Sequence, residues 1–178
     1  MKFTIRQALP EDAPGIAFVQ VESWKTTYAG IVPDAFIASL TIAEQEPRWE
    51  ERLISGNVSI FTAEDDSGVF GFAAGGTLRE ALGDYDAELY AIYLIESRQQ
   101  QGAGRALVGI VAEALRSQGF HSMLVWVLEQ NPAVKFYRHL GAVEISRQFI
   151  EIGGVSLPEL SFGWPTLEIA TPKVEQPL

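Results

Sequence analysis

The sequence predicts a mixed α/β domain, and three observations carry that reading. Short apolar runs with strand periodicity alternate with runs of helical period, turn residues punctuate the boundaries, and a glycine-rich turn separates an apolar strand from a helix. The 178 residues suit one compact domain with a substantial core. That domain is expected over 1–164, followed by an irregular tail over 165–178 in which three of fourteen residues are proline.

Taken in order, residues 3–7 alternate as a short strand. Pro10-Glu11-Asp12 then opens a helical pattern that places Ala13, Ile16, Ala17, Gln20, Val21 and Trp24 on one face, with acidic residues suited to the helix dipole in its first turn. The aromatic-rich segment Ser23 to Gly30 reads as a turn, and a less regular helical stretch follows from about Pro33 to Leu53, interrupted near Pro47. Residues 58–63 and 69–77 read as two strands joined by the longer polar turn Glu64 to Gly68. The strand Glu88 to Ile95 is apolar nearly throughout, which predicts a central position covered on both faces.

Beyond Gly102, residues Ala103, Ala106, Leu107, Ile110, Ala114 and Leu115 recur at helical spacing until Gly119 supplies a stop. The strand Met123 to Leu128 follows, then a short helix with Asn131 as N-cap, Pro132 at the first helical position and Gly141 just past its end. Residues 143–152 and 155–163 pair as a hairpin through Gly153-Gly154.

Composition narrows the function. Thirteen Lys and Arg against 23 Asp and Glu give a net charge of −10, which repels phosphate backbones and argues against nucleic acid as a partner. The absence of cysteine removes disulfides, cysteine zinc sites and acyl-cysteine chemistry. His121 and His139 have no metal-ligand spacing and there is no Gly-x-Ser-x-Gly elbow, so neither a metal nor an acyl-serine intermediate is expected. No apolar stretch approaches the ~20 residues of a membrane helix, and the N-terminus lacks the apolar core of a signal peptide; a cytoplasmic protein without a membrane partner is expected.

The turn Gln99-Gln100-Gln101-Gly102-Ala103-Gly104 holds the chemical clue. A strand that feeds Gly-x-Gly into a helix exposes unpaired N–H groups at the positive end of the helix dipole, an anion seat that glycine lets a phosphate approach. Arg105-Ala106 stand where a Walker A loop needs Lys-Ser/Thr, and Leu107 stands where a dinucleotide fingerprint needs a third Gly or Ala. Alone, the two glycines are better explained by a tight, closely packed turn.

The surrounding residues resemble the GNAT superfamily of acetyl-CoA-dependent N-acetyltransferases. Its Gln/Arg-x-x-Gly-x-Gly/Ala signature is matched by Gln99 to Gly104, and its Asn…Ala…Phe-Tyr…Leu-Gly segment by Asn131 to Gly141. Ile5-Arg6-Gln7-Ala8 with Asp12 is also similar to the opening of many members, and Ser23-Trp24…Tyr28-Ala29-Gly30 to one bacterial subgroup. Glu96 replaces a common Pro, Arg98 a common Tyr, and Ala142 a common Phe, departures that touch loops more than the cofactor seat. The resemblance implies a mainly antiparallel central sheet flanked by helices on both faces, its central strands splayed at the cofactor slot.

It also implies site roles. The pyrophosphate of acetyl-CoA would sit on N–H groups from Gln99, Gln100, Gln101, Gly102, Ala103, Gly104 and Arg105, and the pantetheine arm along Ile92, Tyr93 and Leu94 like an added strand. Leu94 N–H would polarise the thioester carbonyl. Tyr137, beside Phe136, would protonate the departing thiolate, or both would simply pack on the apolar face of their helix. Glu88, fourteen positions before Gly102, would serve as base through a water if burial raised its pKa; an exposed strand-end charge is the competing reading. Asn131 would cap its helix and touch the cofactor, while Trp24 and Tyr28 would wall the acceptor pocket or pack in the core.

The function so implied is acetyl transfer from acetyl-CoA to a primary amine of a small molecule within a ternary complex. A protein N-terminus or lysine as acceptor, or a non-catalytic acyl-CoA-binding module, are the alternatives. The apolar final hairpin and Trp164 offer a surface for a homodimer.

Overall fold

The computed structural model describes residues 2–169; the remainder of the expected tail, 170–178, lies outside the described residues. Seven strands form one sheet in the order β1-β2-β3-β4-β5-β7-β6: β1 (Thr4–Gln7), β2 (Ser59–Asp65), β3 (Gly68–Thr77), β4 (Ala87–Leu94), β5 (Met123–Leu128), β6 (Val143–Ile152) and β7 (Val155–Trp164). Every neighbouring pair is antiparallel except β4–β5. The α-helices among the described residues are α1 (Ala13–Thr27), α2 (Asp34–Ser39), α3 (Ile42–Ser55), α4 (Ala103–Ser117) and α5 (Ala133–His139).

The core lies on both sides of the sheet. On one face, Leu107, Val108, Val111 and Leu115 of α4, with Val134 and Tyr137 of α5, pack on Leu89, Met123, Val125 and Phe162. On the other, Ile16, Ala17 and Val19 of α1 and Trp49 of α3 pack on Ile60, Phe72 and Ala74. α4 stops at a Schellman turn: Gly119 at φ +94° lets its N–H reach Arg116 O and the Phe120 N–H reach Leu115 O at 3.1 Å. Asp12 secures the start of α1 by accepting from Leu9 N at 2.7 Å and from Arg6, which also binds Glu64.

Several expectations need correction. Ser23 to Thr27 belong to α1, and the turn begins at Tyr28, where Gly30 takes the left-handed φ of +75°. The break in the second helical stretch falls at Leu40-Thr41, both extended; Pro47 stands inside α3, where its ring costs one backbone bond on a helix that Trp49 anchors in the core. The β2–β3 turn is tighter than its polar run suggested, with Asp65 paired to Gly68. Trp164 is 4% exposed, packed edge-on against Tyr137 with its indole N–H on Leu140 O, because β7 is an interior strand. It therefore offers no dimer surface; the exposed apolar residues of the hairpin are Val143, Phe149, Ile150 and Val155.

Candidate active site

The site grows out of one irregularity in β4. Pairing with β3 runs Ala74 to Ala91 and then Gly75 to Leu89, so Tyr90 is an extra residue, a β-bulge. Alternation reverses there: Ala87 and Leu89 face α4 before it, Ile92 and Leu94 after it. Ala91 and Tyr93 turn to the α1 face. Past the bulge β4 also leaves β5, for the two strands pair only at Ala87–Met123 and Glu88–Leu124.

The backbone beyond that point faces an open slot. Ile95 N–H donates to Phe70 O at 2.9 Å, which makes 95/70 a hydrogen-bonded pair; the alternating antiparallel pattern then turns the N–H and C=O groups of Leu94 and Ile92 away from β3, into the splay. The Leu94 carbonyl is taken by Ser23 Oγ at 3.1 Å and Gln99 Nε2 at 3.2 Å.

At one end of the slot lies the N-terminus of α4. Gly102 at its N-cap has φ +89° and Gln100 has φ +61°, both left-handed, and the first in-helix donor is Ala106, bonded to Gly102 O. The N–H groups of Ala103, Gly104 and Arg105 thus have no helical acceptor and form a concave anion seat. A Cβ on Gly104 would stand 3.3 Å from Phe136 Cζ and 3.6 Å from Leu94 Cδ1, so its lack of a side chain sets the close approach of α4, α5 and β4.

A cavity of about 580 Å³ joins these parts. Of the residues singled out from sequence, Tyr28, Ile92, Tyr93, Leu94, Gln99, Gln100, Gly102, Gly104, Arg105, Asn131, Phe136 and Tyr137 line it. Gln101 instead turns its amide to Ser97 O, and Ala103 is buried in the core. Trp24 stands behind the wall, tilted on Tyr28 at 4.4 Å between ring centroids and donating its indole N–H to Tyr93 Oη at 3.1 Å. Asn131 does two jobs: Oδ1 accepts from Ala133 N at 2.8 Å, capping α5, and Nδ2 donates to Tyr28 Oη at 3.1 Å.

Glu88 is buried and so is not an exposed strand-end charge, but it does not line the cavity. It is 1% exposed, at the closed end of the splay, and Arg79 binds it through the backbone N–H at 3.2 Å, Nε at 3.0 Å and Nη2. Burial pushes the phenols of Tyr28, Tyr93 and Tyr137 above the ordinary tyrosine value; Trp24 and Tyr28 partly offset this at Tyr93 by hydrogen bonding to it. Tyr137 is thus a protonated donor throughout the neutral range. Sequence reasoning missed Ser23, Thr27, Tyr90 and Trp126 in the lining. Strand parity on β5 could have found Trp126, but Tyr90 depends on the bulge, which leaves no mark in the pattern.

The model of the Acetyltransferase (GNAT) family matches residues 24–142. The chain belongs to the GNAT family. It is an acyl-CoA-dependent N-acetyltransferase by that membership. The N-acetyltransferase YuaI of Bacillus subtilis, named as uncharacterized, is 48% identical over 165 residues, covering 92% of this chain and 94% of that protein. The L-methionine sulfoximine/L-methionine sulfone acetyltransferase of Pseudomonas aeruginosa is 28% identical over 157 residues, covering 86% and 87%. Among solved structures, PaiA N-acetyltransferase of Thermoplasma acidophilum, in complex with coenzyme A, superposes with a TM-score of 0.69 at 22% identity over 90% of this chain and 98% of that one. YncA of Salmonella typhimurium, solved with acetyl-CoA, gives 0.70 at 24% identity over 97% and 99%. These last two likenesses establish the GNAT fold.

Proposed function

We propose that this GNAT enzyme carries the acetyl group of acetyl-CoA directly to a primary amine of a small molecule, within one domain spanning residues 1–164. The observation that carries the small-molecule reading is the closure of the acceptor side. The hairpin tip meets α2, where a Cβ on Gly153 would stand 2.9 Å from Phe36 Cβ and 3.4 Å from Pro33 Cγ. Behind that contact Tyr28, Val32, Ile37 and Leu128 form a continuous apolar cluster reached by Tyr93, so an extended peptide meets a wall where a small amine meets a pocket. The acetyltransferases of known acceptor among the relatives include one for a small amino acid analogue.

The donor fits the residues present. The α4 N-terminus offers its free N–H groups to a pyrophosphate, with Gln99, Gln100 and Arg105 beside them, and the Ile92 and Leu94 backbone offers strand-like hydrogen bonds to an amide-bearing arm. Acetyl-CoA, when bound, supplies the activated thioester. Leu94 N–H then stabilises negative charge as it develops on the carbonyl oxygen, and Tyr137 Oη donates its proton toward the leaving sulfur.

We assign no base role to Glu88, whose carboxylate is held by Arg79, and give it instead the task of fixing the 79–88 segment at the closed end of the splay. The amine loses one proton to water before attack, which makes its neutral fraction the pH-dependent quantity, and the second proton, released from the nitrogen as the tetrahedral adduct collapses, restores the one that Tyr137 gives to the sulfur. Thiol release from acetyl-CoA tests the reading across small amines and N-terminal or lysine peptides. Amine-dependent release with small acceptors is expected; release with peptides alone would overturn the small-molecule assignment, and tight donor binding without release would overturn catalysis.

A further inference from the structure

Three carboxylates are buried among the described residues, Asp12, Glu88 and Glu159. A buried charge needs a counter-charge, and two of the three have one: Arg6 for Asp12 and Arg79 for Glu88. Glu159 is 8% exposed and forms no ion pair among the described residues; Gln148 Nε2, a neutral donor, holds its Oε1 at 2.8 Å.

Its position gives that surplus charge a use. Glu159 pairs with Leu128 on β5 and Ser161 with Trp126, so cross-strand neighbours put Glu159 on the same sheet face as Leu128 and Trp126, opposite the α4 face that holds Val125, Val127 and Leu160. Leu128 belongs to the Tyr28 cluster and Trp126 lines the cavity. From the other side Arg79 lies over the Tyr90 ring at 5.3 Å, and its guanidinium is held above the ordinary value first by its hydrogen bond to Glu88, with the charge of Glu159 adding to it. One cation therefore serves two carboxylates beside the acceptor floor. One negative charge is left over.

Resting on the small-amine reading of this site, we propose that Glu159 is a specificity-determining residue that binds a second cationic group of the acceptor. The attacking nitrogen must be neutral when it reacts, so it cannot neutralise Glu159 through the transfer. A second ammonium on the same molecule can, and the aromatic faces of Trp126 and Tyr90 favour a cation on its way there. The acceptor class is thus a diamine or a related amine carrying a persistent positive charge.

Calorimetry on the CoA-loaded protein with putrescine and cadaverine, each against the amino alcohol of the same chain length, tests this without turnover. At least one diamine should bind about tenfold more tightly than its amino alcohol, a preference that shrinks as salt is raised and vanishes in Glu159→Gln, whose amide keeps the shape of the site. Absence of the preference in the unmodified protein overturns the proposal, and so does its persistence in the variant. Should Glu159→Gln fail to fold, the matched pairs and their salt dependence in the unmodified protein still decide. Thiol release with neutral monoamines but no diamine preference would sink Glu159 while leaving the amine reading intact; no release with any amine would sink that reading separately.

Discussion

Replacing Asn131 by Ala removes two bonds with one cut, and each can be sized. The Oδ1 bond to Ala133 N is an N-cap, and such caps stabilise by about 1 kcal/mol. The Nδ2 bond to Tyr28 Oη is buried, and losing it leaves a phenol in an apolar cluster with one partner fewer, worth about another 1 kcal/mol. The expected loss is about 2 kcal/mol, or a fall in Tm of about 6 °C for a chain of this length. Of these two bonds Tyr28→Phe removes only the second, together with the hydrogen bond between Tyr28 and Tyr93, which the cycle cancels. Asn131→Asp keeps the cap acceptor and converts the second contact to one in which the phenol donates. A double-mutant cycle with Asn131→Ala and Tyr28→Phe, followed by urea unfolding, should give a coupling of about 1 kcal/mol. Additivity to within about 0.3 kcal/mol would refute the reasoning, since it would mean that the Asn131–Tyr28 bond contributes nothing. The functional counterpart is a raised KM for the acceptor in Tyr28→Phe with the KM for acetyl-CoA unchanged, because Tyr28 stands on the acceptor wall.

Further expectations concern protons and charge. Tyr137→Phe should lower kcat by about 100-fold while leaving CoA affinity within a factor of two; an equal loss of CoA affinity would make Tyr137 a packing residue. Tyr28, Tyr93 and Tyr137 all have pKa values raised above 10.0, so between the unfolded and folded values the unfolded chain holds fewer protons and stability falls as pH rises. Burial raises Tyr85 and Tyr90 as well; each such group steepens the loss above pH ~10 by at most about 1.4 kcal/mol per pH unit, and Tyr137→Phe should lessen the slope by one such share. Phenolate absorbance appearing at ordinary tyrosine pH in the folded protein would contradict this. Glu88→Gln should leave the shape of the pH–rate profile unchanged, whereas loss of an ionisation from kcat/KM would restore Glu88 as the base.

Much of the fold was legible because its signals are local. Gly119 and Gly153-Gly154 adopt the left-handed conformations their positions demanded, and the 3.6-residue period of α4 names the residues that fill the core. The limits of helices were less legible: Trp24 and Tyr28 look like turn aromatics, yet α1 carries through Thr27 because Trp24 packs on Tyr28 and Phe36. In the site, the α4 N-terminus followed from two glycines and a spacing. The partner of Glu88 did not, since Arg79 lies in an irregular segment and only tertiary structure brings it to β4. Glu159 stayed unseen for the same reason: in sequence it is one acid among 23, and only its burial without an ion pair of its own among the described residues distinguishes it.

The bulge at Tyr90 makes chain length, more than side-chain identity, the sensitive variable in β4. Excising Tyr90 would remove the bulge and leave Leu89, Ile92 and Leu94 together on the α4 face in plain alternation, so the core pattern would survive and the irregularity alone would go. The continuous ladder would then be free to zip onto β5, sealing the slot with the strand's own amides while every other residue that lines it was still encoded. A conservative substitution at Tyr90 would spare the fold; a deletion there would turn an enzyme into a closed sheet.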